Sequence, residues 1–346
     1  MMLEHRFQPP RNSTTLVVVF SHARIPSGKF GLERLFAGTQ HACLFVNHVG
    51  SGWYLDQEAA IDRLIDTAQH DVKPSRLIYY GASMGAYGAL ITGLRRQDGE
   101  IYAFGPELDI GGPGTQSLEA LGQRPHQAPD VTRLLAQDLP FRTHVFFGLY
   151  DWVDAYGYDM IRRLPPHEHL NVYGLKSPHS SHDHLYTINI VRRIIKSFNR
   201  DIELILKEKN ISCEMGRSDL EMFVQLGQSL QDPTLLPGKI KENSQEKLAY
   251  RHPGHALLWA EAKARIGTFE SALAVLDYWQ QLFGTDTELR SCPKRWRKSF
   301  PLLEIDILRR ADRLDDAVQS LNALVARYPV CERVRETAAA LSVSLS

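Results

Sequence analysis

Between residues 77 and 90 the chain reads Leu-Ile-Tyr-Tyr-Gly-Ala-Ser-Met-Gly-Ala-Tyr-Gly-Ala-Leu. An apolar run of strand character stops at a glycine. A serine follows two residues later, and a second glycine opens a helix-compatible run through Met84, Tyr87, Leu90, Ile91 and Leu94. Gly-x-Ser-x-Gly in a strand–turn–helix setting forces the serine onto a sharp turn with its hydroxyl outward. The flanking positions must be small because helix and strand cross closely there. This segment therefore points to a fold, to a nucleophile at Ser83 and to one backbone donor of an oxyanion hole, the amide of Met84.

The rest of the chain is read around that turn. Residues 1–200 alternate short apolar runs with helical ones. Strands are expected at 16–20, 43–47, 77–80, 101–104, 144–147 and 170–173, and helices at 56–69, 84–96, 131–137, 154–164 and 185–198. Such alternation implies an α/β domain, a doubly wound and mostly parallel sheet covered on both faces. Active sites of such sheets lie at the carboxyl ends of the strands. From residue 201 onward no strand pattern remains. The range 201–244 reads as a helical linker, with its Asp-Pro and Pro-Gly steps concentrated in 231–244. Beyond it, 245–346 is all helical. Gly267-Thr268-Phe269 is followed by Ala272 and Leu276, and Asp312-Arg313-Leu314 by Ala317 and Leu321, with Pro329 after the helix. Each unit places a small alanine where two helices joined by a turn would cross. The pattern resembles tetratricopeptide repeats, which implies helical hairpins and a surface for a protein partner. An ordinary helical extension fits the same residues.

Composition narrows the function classes. Lys plus Arg and Asp plus Glu number 40 each in 346 residues. With no net field, binding to nucleic acid or an anionic membrane would need a local patch. The basic clusters Arg95-Arg96, Arg192-Arg193 and 294–298 are short and read as solvated helix faces. The first ten residues lack the apolar core of a signal peptide, and no apolar run has bilayer-spanning length. Cys43, Cys213, Cys292 and Cys331 are too scattered for a zinc knuckle or a disulfide framework, so a reducing cytoplasm is the expected compartment.

A nucleophilic serine needs a base, and the base needs an acid to orient it. In doubly wound hydrolases the three follow the order serine, acid, histidine. The run 144–147 leads into Gly148-Leu149-Tyr150-Asp151, which sets Asp151 just beyond a strand end; Asp154 suits the cap of the next helix, with the acid role as its alternative. After the last strand comes Lys-Ser-Pro-His-Ser-Ser-His-Asp-His, 176–184. His179, nearest the strand end, is the expected base, with His182 the alternative and His184 deeper in the helix start. The second oxyanion donor is expected from the loop after the first core strand, at the amide of His22 or of Ala23.

These motifs together resemble the α/β-hydrolase superfamily over residues 10–200. The elbow Gly-Ala-Ser-Met-Gly-Ala-Tyr-Gly-Ala-Leu is similar to that of serine esterases of the esterase D and acyl-ester type. The resemblance implies Ser83 as nucleophile, Asp151 as acid and His179 as base, acting without a cofactor on an ester or amide through an acyl-enzyme. Transfer of the acyl group to another alcohol would use the same machinery. A scaffold protein of weak or lost activity, binding a partner through its helical tail, is the reading from a different class.

Substrate contacts are expected from two further loops. Trp53 and Tyr54, after the second core strand, would form an apolar or sugar-stacking wall for a carbohydrate or acyl ester, or else pack on the next helix. Glu107 and Asp109, in the Gly/Pro-rich stretch 105–114, would meet a polar substrate, or else build a surface turn. The spacing of His179, His182, Asp183 and His184 does not fit a metal motif, so no metal is expected.

Overall fold

The computed structural model describes residues 2–125, 128–232 and 242–345. The chain divides into two compact units, Met1–Glu214 and Met215–Ser346. The first holds seven strands: β1 (Leu3–Gln8), β2 (Thr15–Phe20), β3 (Ala42–His48), β4 (Arg76–Ala82), β5 (Glu100–Phe104), β6 (Thr143–Gly148) and β7 (Leu170–Leu175). They form one sheet in the order β1-β3-β2-β4-β5-β6-β7. Only β1 runs antiparallel to its neighbour; every other pair is parallel. β2, β3, β5 and β6 are buried at every residue, as expected of strands covered on both faces. The helix Met84–Arg96 packs through Gly88 and Gly93 on Phe20, Tyr79 and Ile101. On the opposite face, helices Ser181–Thr187, Ile190–Ile195 and Ile202–Glu208 join a core with Val19, Tyr80 and Phe104.

The six expected strands are present, each extended by one to three residues. β1 was not expected. Its Leu-Glu-His-Arg-Phe-Gln carries one strongly apolar residue every fourth position, because an edge strand half open to water needs no apolar face. The single helix expected at 185–198 is two, separated at Asn189, which takes a left-handed conformation (φ 67°). The first unit also extends beyond 200. Ile202, Ile205, Leu206 and Ile211 belong to its core, and the amides of Lys176 and Cys213 donate to the carbonyls of Ile211 and Gly174, at 2.8 and 2.9 Å. Residues 233–241 of the expected linker lie outside the described residues.

The second unit contains the helices Arg217–Gln231, Glu242–Ala249, Pro253–Arg265, Phe269–Thr285, Ser299–Arg310, Leu314–Arg327 and Glu332–Ala340, with two short ones at Thr287–Ser291 and Lys294–Arg297. Two hairpins match the sequence pattern. Pro253–Arg265 turns into Phe269–Thr285 at Gly267 (φ 78°), and Ser299–Arg310 turns into Leu314–Arg327 at Asp312 (φ 59°). Both turns close with a bond to the carbonyl five residues back: Thr268 N–H to Lys263 O at 3.0 Å, and Arg313 N–H to Leu308 O at 2.9 Å. Ala272 and Ala317 are fully buried where the paired helices meet. Among the described residues no helix is long and apolar enough to cross a membrane.

The elbow depends on absent side chains. A Cβ at Gly81 would overlap the carbonyl oxygen of Gly85, and one at Gly85 would overlap that of Phe20. The elbow helix thus lies directly on the end of β2. Backbone atoms cannot yield as a flexible side chain would, so Gly85→Ala is expected to cost about 1–3 kcal/mol. Urea unfolding of the variant against the parent chain measures it.

Candidate active site

Ser83 occupies the residue between β4 and the helix Met84–Arg96, with φ 55° and ψ −124°. A non-glycine residue there is strained, and it persists because its surroundings over-determine it. The Ser83 amide donates to Phe104 O at 2.8 Å, and its carbonyl accepts from Ala86 and Tyr87. The backbone is therefore pinned on both sides while the hydroxyl stays free to face the strand ends. It finds one partner: Ser83 Oγ lies 2.9 Å from His179 Nε2. His179 Nδ1 lies 2.7 Å from Asp154 Oδ1.

The carboxylate that meets His179 is thus Asp154, where Asp151 was expected. Asp151 is the N-cap of the helix Trp152–Arg162, its Oδ1 accepting from the amides of Val153 and Asp154 at 3.0 and 3.1 Å. Both expectations about this pair were exchanged between its members. A helix start takes the first available carboxylate as cap, accepting from the second and third amides. That leaves Asp154 in the first turn, where it points inward. Its side chain is fully buried, and its second oxygen accepts from the Gly148 amide at 2.8 Å. Every lone pair that matters is directed by a fixed donor.

His179 is one-fifth exposed and sits on the loop after β7. That loop and the end of β6 are locked together: a Cβ at Gly148 would overlap the carbonyl oxygen of Pro178. Gly105, in a left-handed conformation after β5, closes the other side, and a Cβ there would come within 3.3 Å of Asp154 Oδ2 and 3.4 Å of His179 Cε1. Neither glycine was singled out by sequence reading. Gly105 had a signal available, since it directly follows a strand that borders the elbow strand.

The other histidines do other work. His182 is buried, with Nε2 2.8 Å from the Tyr80 hydroxyl and its ring edge-on to Phe104. His184 is buried, with Nδ1 3.1 Å from Ser177 Oγ. Neither meets Ser83. Burial opposes the charged form of His179, but the carboxylate of Asp154, with Asp151 and Glu107 behind it, holds its imidazolium well above the ordinary histidine range. For Asp154 itself, burial pushes the carboxyl up and the contact with His179 pulls it back. The pair thus favours a carboxylate facing an imidazolium, and the neutral imidazole that can take a proton is reached as pH rises.

The loop after β2 is held against the elbow. Tyr54 donates its hydroxyl to Ser21 O at 2.8 Å, Gly31 N–H donates to Ser21 Oγ at 2.9 Å, and Gly85 abuts Phe20 and Ser21. The amide of Met84 opens its helix and has no intrahelical acceptor. The amide of His22 follows in the adjoining loop, while the His22 ring lies 3.0 Å from Ala23 O through Nδ1.

The expected substrate wall is corrected. Trp53 and Tyr54 are wholly buried, and Tyr54 spends its hydroxyl on Ser21 and Val46 while its ring packs edge-on to Phe20. They support the loop after β2 from behind. Glu107 is buried and accepts from the amides of Gln116 and Ser117 at 2.7 and 2.9 Å, and Asp109 forms a two-point ion pair with Arg124. Both carboxylates hold the loop that follows β5.

Among the described residues, one trio of metal-capable groups converges: Asp151, Asp154 and His179, with ligand atoms within 4.8 Å of one another. Each is already committed to the hydrogen bonds given above. A zinc ion would want four ligands, or three and a water, free of such competition, and the trio does not fit it.

A strained serine after a central parallel strand, an acid after β6 and a histidine after β7 decide the architecture. The first unit has the α/β-hydrolase fold. No protein-family model matches the chain, and no curated protein sequence does. Among solved structures it is similar to a chain of the Glycosylation Associate Protein (Gap123) complex from Streptococcus agalactiae, with 18% identity over 56% of this chain and a TM-score of 0.43; the match spans 44% of that chain. It is also similar to the capsule O-acetyltransferase of Neisseria meningitidis serogroup A, with 15% identity over 54% of this chain and 91% of that one, TM-score 0.41. An esterase of Pyrococcus furiosus gives 16% identity over 57% and 83%, TM-score 0.38.

Proposed function

We propose that the protein is a serine hydrolase that cleaves an ester bond through an acyl-enzyme. The observation that carries this reading is the unbroken chain from Ser83 Oγ to His179 Nε2 and from His179 Nδ1 to Asp154. Ser83 Oγ attacks the acyl carbon and passes its proton to His179 Nε2. Asp154 keeps the Nδ1 proton in place and stabilises the imidazolium that forms. The amides of Met84 and His22 take the oxygen that gains charge. The imidazolium then hands its proton to the leaving alcohol. In the second half His179 draws a proton from water, which attacks the acyl-Ser83 carbonyl; the bond to Ser83 Oγ breaks, the imidazolium returns its proton to that oxygen, and the carboxylic acid leaves. An amide would follow the same course with an amine leaving, and an alcohol in place of water would make the outcome acyl transfer.

The deciding experiment is labelling of the full chain with a fluorophosphonate. The expected result is one adduct, found by peptide mass analysis on the segment that contains Ser83. An unlabelled chain, or an adduct elsewhere, overturns the reading.

A further inference from the structure

The basic run 294–298 reads in sequence as a solvated face, and the structure assigns it a different geometry. Lys294 and Arg297 meet Arg290 and Arg327 around one cavity of about 310 Å³ in the helical unit. Its floor is aromatic. Phe283 and Tyr328 are buried, and Phe283 is braced by Trp296 and Phe300 at ring separations of 5.8 and 4.8 Å. Gly284 leaves one wall without a side chain, and a Cβ there would meet only Arg327, at 4.0 Å.

The charge of this cavity is unbalanced. No carboxylate lines it, and among the described residues none of the four cations forms an ion pair. Arg251, Arg265, Arg309, Arg310 and Arg313, in the same unit, all do. Two of the four are already oriented. Arg297 donates Nε–H to Cys292 O at 3.0 Å, and the guanidinium carbons of Arg297 and Arg327 lie 5.9 and 5.5 Å from the Tyr328 ring centre. In a chain whose formal charges cancel, four like charges gathered on a concave wall repel one another until an anion enters.

We propose that this cavity is a binding site for a small molecule bearing an oligophosphate group. The cavity has small-molecule dimensions. Guanidinium forks match phosphate oxygens in pairs, and an oligophosphate brings several negative charges within a few ångströms, as four converging cations require. Carboxylates spread the same charge over more volume.

Titration calorimetry of the full chain with pyrophosphate and tripolyphosphate tests the site. Both are expected to bind one per chain, more tightly than inorganic phosphate or citrate. Arg290→Gln and Arg327→Gln should each weaken tripolyphosphate by at least about tenfold, the loss expected for a charge-assisted hydrogen bond. Arg295→Gln, an exposed cation of the same run that does not line the cavity, should leave binding unchanged. Fluorophosphonate labelling of Ser83 should be the same in all three variants, which separates this site from the proposed catalytic one. Absence of binding at millimolar pyrophosphate, an equal loss in the Arg295 variant, or a preference for citrate or an acidic peptide over tripolyphosphate would each overturn the proposal. Circular dichroism of each variant establishes that a loss of binding is not a loss of fold.

Discussion

Ser83→Ala is expected to lower kcat for ester hydrolysis by about 10⁶, and His179→Ala by a similar factor, with the double variant no slower than either single one. The reason is geometric. A serine hydroxyl is a weak nucleophile until its proton has a destination, and among the described residues the acceptor placed for it is His179 Nε2, at 2.9 Å. Removing either member removes the same step, so the losses cannot add. What survives comes from the backbone amides, which neither substitution touches. Steady-state hydrolysis of an activated ester by the three variants measures the effect. Additive losses would show that the two residues act in separate steps.

The second large effect separates two neighbouring carboxylates. Asp154→Asn is expected to lower kcat by about 10⁴, because the amide no longer fixes the productive tautomer or balances the imidazolium. Asp151→Asn should leave the rate nearly unchanged, since asparagine caps a helix about as well as aspartate. The pH profile supplies an independent readout. A histidine acts as base only when neutral, and the carboxylate neighbours of His179 hold its protonated form up. Under the proposed reaction, the rate of the parent chain should therefore rise with pH through a midpoint above the ordinary histidine value. In Asp154→Asn the first of those carboxylates is gone and burial dominates, so the midpoint should fall. A rate lost in Asp151→Asn and kept in Asp154→Asn would exchange the two assignments.

That pair also shows where sequence reading stops. The elbow was legible because its requirements are local: an apolar strand, small residues at two crossings and a helix, all within a few residues. Ser83 and His179 follow from chain order and from distance to a strand end. Asp151 and Asp154 both lie at a helix start, and both residue types suit a cap or an acid. Only burial decides between them, and Asp154 is enclosed by His179 on the β7 loop and Gly105 after β5, both distant in the chain. Trp53 and Tyr54 present the same difficulty in another form. An aromatic pair after a strand end is compatible with a pocket wall or with the core, and the hydroxyl bonds of Tyr54 to Ser21 and Val46 settle it. The hairpins of the second unit were visible from Ala272 and Ala317. The cavity beside them was not, because Arg290, Lys294, Arg297 and Arg327 come together only when the second hairpin returns.

The polar strand β1 has a consequence for how the sheet meets its surroundings. It pairs along β3 from Leu3 opposite His48 to Gln8 opposite Cys43, and β3 is buried throughout. Without β1, a run of Cys43, Leu44, Phe45 and Val46 would present bare amides and carbonyls at the sheet margin, a template on which a second chain could pair. With β1 in place, the outermost strand carries Glu4, His5 and Arg6 instead. A handful of hydrophilic residues thus keeps a fully buried ribbon from becoming a seam for self-association.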